Sequence, residues 1–122
     1  MERNQYIPVM IQSLKKKSEI LDTIMELNIR QSEELENPAL DPDDFDKTVE
    51  EKSKQIEKLD LLDDGFQELF DRVKDDLKNH QDIYRDEIAQ MQDYIRKLTS
   101  KSATIQVQEA RNKDLMTKKF AS

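Results

Sequence analysis

The first third of the chain carries apolar residues at three- and four-residue spacing, which is the pattern of an amphipathic helix. They include Ile7, Met10, Ile11, Leu14, Leu21, Ile24 and Met25. The spacing predicts one long helix over residues 6–36. Asn37 and Pro38 end it, because the residue before a proline is disfavoured in the helical region and proline has no amide donor.

A second helix is predicted over residues 42–77. Asp41 can accept amide hydrogen bonds as its N-cap, and Pro42 suits its first position. Gly65 favours a kink or a short break at 63–65, since glycine costs about 1 kcal/mol in a helix interior. The stripe of this helix comprises Phe45, Val49, Lys52, Ile56, Leu59, Leu62, Phe66, Leu69, Phe70, Val73 and Leu77.

A third helix is predicted over residues 83–120, after a turn near 78–82 where the apolar phase slips. Its stripe is regular as far as Leu98 and consists of Tyr84, Ile88, Met91, Ile95 and Leu98. Beyond Leu98 the apolar residues spread around the helix. We therefore expect residues 99–122 either to fray or to be covered by a partner.

These elements predict a single all-α domain over residues 1–122. We expect an elongated, coiled-coil-like antiparallel hairpin or bundle of three to four long helices. The composition agrees, because 39% of the 122 residues are charged, 35% are hydrophobic and only one is glycine.

Charge and cysteine content bear on the cellular compartment of the protein and on its possible partners. The chain lacks cysteine and any run long enough for a signal peptide or membrane span, so we predict a cytoplasmic protein. The net charge is −7, yet residues 33–64 carry −9 and residues 95–122 carry +5. The basic end either lies beside the acidic middle, seeks an acidic partner or is simply solvated.

Candidate catalytic chemistry is sparse, and we predict no enzyme, cofactor or metal site. The single histidine, His80, falls at the predicted turn, with no carboxylate at a spacing that would orient it as a base. The acidic run at 41–46 does not fit a calcium loop, because Phe45 and Asp46 replace a ligand and the required glycine. Three consecutive lysines at 15–17 fan out around a helix in an acidic chain, so we do not expect nucleic-acid binding. The basic residues of the C-terminal helix do not oppose a continuous apolar face, so we do not expect membrane-surface binding either.

Three stretches resemble the FlgN-like family of bacterial flagellar export chaperones, and together they span nearly the whole chain. They are the opening helix from Met10 to Leu35, the segment FDKTVEEKSKQIEKLDLLDDGF with Lys52 in its stripe, and the terminal IQVQEARNKDLM with Asn112. The resemblance implies an all-helical chaperone of type III flagellar secretion. Such a chaperone holds hook-associated (hook-filament junction) proteins in the cytoplasm and delivers them to the flagellar export apparatus.

The same resemblance implies a cargo site in the C-terminal helix, which would mask an amphipathic C-terminal helix of the cargo. The candidate cargo-contacting residues are Ile105, Val107, Leu115, Met116 and Phe120. Each could instead be an ordinary core or dimer contact. Two alternatives stay open: a related chaperone for the filament cap or flagellin, and a self-associating coiled-coil scaffold that forms a homo-oligomer.

Overall fold

Three long helices make up the fold, as the sequence predicts. The computed structural model describes residues 3–121, with side chains from 5 to 121, and contains no strand in that range. The helices are α1 (Arg3–Glu36), α2 (Pro42–Asn79) and α3 (Arg85–Phe120). Their 34, 38 and 36 residues correspond to lengths of about 51–57 Å at 1.5 Å per residue. The all-α, elongated architecture is thus confirmed.

The first connection is built as the sequence predicts. The Asp41 carboxylate accepts a hydrogen bond from the Asp43 amide at 2.9 Å, and Pro42 opens α2. The second half of α2 differs from the prediction. It runs as one helix through Gly65, so the short break expected at 63–65 is absent, and it ends at Asn79 before a turn at residues 80–84.

The helix α1 lies at the centre and packs against both α2 and α3. Ion pairs show that α2 is antiparallel to α1: Lys17 pairs with Asp63 and Arg30 with Glu51, each at 2.5 Å. Between α2 and α3, no Cα atoms of the described residues come within 8 Å. Two helices thus flank α1 without closing over it.

The core follows from this arrangement, because only α1 is covered on two sides. Five of its residues join five from the rest of the chain in one buried cluster. The members are Ile7, Met10, Leu14, Leu21, Ile24, Val73, Leu77, Tyr84, Met91 and Leu98. Much of the α2 stripe stays only partly covered: Phe70 keeps 39% and Ile56 43% of its surface exposed.

The end of α3 corrects one expectation. The inward face does not stop at Leu98, since Ile105 packs against the core and Asn112 is 2% exposed. Arg111 also pairs with Glu36 at 2.7 Å, and Phe120 meets the ring of Phe45 edge-on at 6.3 Å between centroids. The segment 99–120 is helical and packed on α1 and α2, because its inward positions are filled by polar side chains that find partners.

Candidate protein-binding site

A buried polar network joins the three helices near one end of the bundle. The ammonium of Lys52 donates to Asn28 at 3.0 Å and to Gln31 at 3.2 Å, and it pairs with the carboxylate of Glu109 at 2.7 Å. The amide nitrogen of Asn112 donates to the backbone oxygen of Asn28 at 3.0 Å and to Gln31 at 3.1 Å. One residue or more from each helix therefore takes part.

Burial makes this network a positioning device for the helices. Asn28 is fully buried, Gln31 is 4% exposed, and the Lys52 side chain is 12% exposed. A shift in the register of any helix would leave buried polar groups without partners, which costs about 1–3 kcal/mol each. The network therefore fixes the register of the three helices.

A second polar cluster closes the turn between α2 and α3. His80 Nδ1 lies 3.0 Å from the Asp76 carboxylate, and the Tyr84 hydroxyl donates to that carboxylate at 2.8 Å. The expectation that no carboxylate would accompany His80 was therefore wrong, because residues four apart share a helix face. The cluster ties the end of α2 to the start of α3.

A wide concavity runs between α2 and α3, where the two helices stay apart. Its section next to the turn has a volume of about 840 Å³. The apolar side chains that line this section are Phe66, Phe70, Leu77, Ile88, Ala89, Met91 and Ile95. The rings of Phe66 and Phe70 are nearly parallel, at 8°, with centroids 6.4 Å apart. An apolar wall on each helix thus faces open space.

A second section of about 480 Å³ continues the concavity toward the middle of the bundle. It shares Phe66 and Ile95 with the first section and adds Leu14 of α1 as its floor. We call the two sections together the α2–α3 groove. Beyond it, the Lys52–Glu109 pair and the Phe45–Phe120 contact bridge α2 and α3. The groove is therefore bounded at one end by the turn, whose Gln81 and Asp82 line it, and bridged at the other.

The five residues predicted as cargo contacts do not form one surface. Ile105 packs against the core, and Leu115 and Met116 are partly buried. Val107 and Phe120 are 71% and 61% exposed. Val107 lies about 200° around the helix from Ile105, on the opposite side. None of the five lines the groove, and their contact with a partner stays a prediction.

Sequence reasoning missed the groove, although its apolar residues were in the predicted stripes. Spacing gives the phase of a stripe but does not say which neighbour covers it. The polar network left one clearer signal: Lys52 occupies an inward position of an otherwise apolar stripe.

Other features add little chemistry. The hydrogen bond from Arg72 to the Tyr6 hydroxyl, at 3.3 Å, raises the pKa of a guanidinium that is already protonated at neutral pH. Within the described residues, no helix combines the length and apolar character that a membrane span needs, and no group of three or more acidic, histidine or cysteine side chains could hold a metal ion.

Comparisons of the chain with protein-family models, with curated proteins and with solved structures found no match.

Proposed function

We propose that this protein binds an amphipathic helix of another protein in the α2–α3 groove, and that it serves as a cytoplasmic export chaperone for hook-filament junction proteins. One observation carries the binding role: the groove is apolar on both walls and lies where the fourth helix of a four-helix bundle would pack. A partner helix laid there would complete the bundle.

The dimensions suit a helix of moderate length. From Leu62 to Lys78 the groove follows α2 for about 24 Å, at 1.5 Å per residue, which accommodates a helix of about 16 residues. Phe70 and Ile95 are 39% and 47% exposed and stand on opposite walls. Helix-in-groove recognition uses apolar anchors of this kind at three- and four-residue spacing.

The flagellar role rests on the family resemblance of the sequence. In that role the groove would cover the apolar face of a cargo helix, which would otherwise be free to aggregate, and release it at the export apparatus. No catalytic step is needed, since masking apolar surface is favourable by about 25 cal/mol per Å².

The main alternative is a self-associating scaffold. The end of the regular α3 stripe at Leu98 does not exclude a scaffold, because α3 packs on α1 well beyond that residue. The occupant of the groove distinguishes the two classes of protein. A scaffold would fill the groove with a second copy of the chain, whereas a chaperone would fill it with a different protein.

A capture experiment tests the proposal with three baits. The intact chain is compared with a groove variant, Phe70→Asp with Ile95→Asp, and with a tail variant, Val107→Asp with Phe120→Asp. All four positions are more than a third exposed, so both variants should keep the melting temperature of the intact chain within a few degrees. Proteins captured from a lysate of the source cell are identified by mass spectrometry.

We expect hook-filament junction proteins with the intact chain and the tail variant, but not with the groove variant. Capture by the groove variant and loss by the tail variant would move the site to the end of α3. If the intact chain recovers only its own copies, the scaffold alternative replaces the chaperone.

A further inference from the structure

The charged residues around the α2–α3 groove are sorted by sign. Residues 65–94 contain four basic and eight acidic side chains and carry a net charge of −4. Three of those four bases line the groove, namely Lys74, Lys78 and Arg85, and only one of the eight acids does, Asp82. The turn end of the groove is therefore locally basic on an acidic surface.

These bases are not fully neutralised by their neighbours. Lys78 forms no ion pair with any residue whose side chain the structure describes. Arg85 meets Asp82 at 3.4 Å with both side chains more than three-quarters exposed, and Lys74 meets Asp71 at 3.6 Å. Exposed ion pairs at such distances interact weakly, so the acidic partner neutralises the basic side chain only in part. Positive charge remains available beside the apolar wall.

The opposite part of the groove lacks this excess. Its charged lining residues are Lys17 and Asp63, which pair with each other at 2.5 Å. Charge thus distinguishes the two ends of the groove, whereas the apolar lining is shared by both.

We infer that the partner is an amphipathic helix with acidic residues flanking its apolar face at one end, and that this acidic end lies at the α2–α3 turn, beside Lys78 and Arg85. This inference rests on the proposed helix-binding function and adds the partner's chemistry and placement. A second copy of the chain is disfavoured by the −7 charge that each copy carries.

The test uses three synthetic 18-residue peptides with an identical leucine and isoleucine face. At one end the residues beside that face are glutamate, glutamine or lysine. Dissociation constants are measured by fluorescence anisotropy with the full chain at 50 mM and 500 mM salt. We expect the glutamate peptide to bind about tenfold tighter than the lysine peptide at low salt, equal to ~1.4 kcal/mol, and the ratio to shrink at high salt.

Two charge variants locate the effect. Lys78→Glu with Arg85→Glu should reverse the preference between the glutamate and lysine peptides. The matched control, Lys54→Glu with Lys58→Glu, makes the same change in net charge at exposed α2 positions outside the groove and should leave the preference intact. A preference that is absent, or that survives Lys78→Glu with Arg85→Glu, overturns the inference.

The glutamine peptide separates this result from the proposed function. If it binds the intact chain but not Phe70→Asp with Ile95→Asp, the groove binds helices whatever the charge result. If it fails to bind, or binds both proteins equally, helix binding in the groove is refuted and the inference falls with it. A stable dimer in sedimentation that none of the peptides displaces overturns both.

Discussion

At the residue scale, Lys52 shows how a position can be inward-facing without being apolar. Its stripe predicts a buried hydrophobic side chain, and the structure places an ammonium there with Asn28, Gln31 and Glu109 around it. The sequence reveals the odd position but not its partners, because those lie on two other helices. Lys52 and Asn112 both hold the three helices together, so these two residues serve the fold.

Replacing Lys52 by methionine keeps an unbranched side chain that is one atom shorter, but removes the ammonium that donates to Asn28 and Gln31. We expect the free energy of unfolding to fall by about 2–3 kcal/mol, since buried acceptors lose their donor. Urea unfolding followed by circular dichroism measures the change. Lys54→Met, two residues away and exposed, is the control and should stay within about 0.5 kcal/mol of the original protein. Equal stability of both variants would show that the network does not stabilise the fold.

At the element scale, helix boundaries were predictable where local chemistry decides them. Pro38 and Asp41 mark the first connection, and both helix ends beside it match the prediction. The break predicted at Gly65 was wrong, because the helix-propensity penalty of glycine, about 1 kcal/mol, is small against the packing of a 38-residue helix. The prediction for the end of α3 was wrong for another reason. A hydrophobic pattern does not detect inward positions that are filled by polar residues such as Asn112 and Gln108.

Gly65→Ala should stabilise the protein. Gly65 lies inside α2 with ordinary helical backbone, and a Cβ atom added there would meet nothing within 4 Å. Alanine is favoured over glycine in a helix interior by about 0.5–1 kcal/mol. The melting temperature should therefore rise by about 2–5 °C in a calorimetric scan. A fall would mean that α2 needs a break at this residue.

At the scale of the whole molecule, one central helix with two flanking helices leaves a side open. The sequence predicts three long amphipathic helices and their antiparallel hairpin. It does not predict that α2 and α3 stay apart, because that depends on how far α1 separates them. Phe70 and Ile95 therefore belong to regular apolar stripes, yet no other part of the chain covers them fully.

The most direct test of the groove is a titration followed by isoleucine methyl NMR. The glutamine-flanked peptide is added to the full chain labelled at isoleucine. Ile88 and Ile95 report on the groove, Ile105 on the end of α3, and the 53% exposed Ile29 on the outer surface of α1. The account predicts saturating shifts at Ile88 and Ile95, a smaller shift at Ile105, which adjoins the lining residue Gln106, and no shift at Ile29. Shifts centred on Ile105, with Ile88 and Ile95 unmoved, would contradict it.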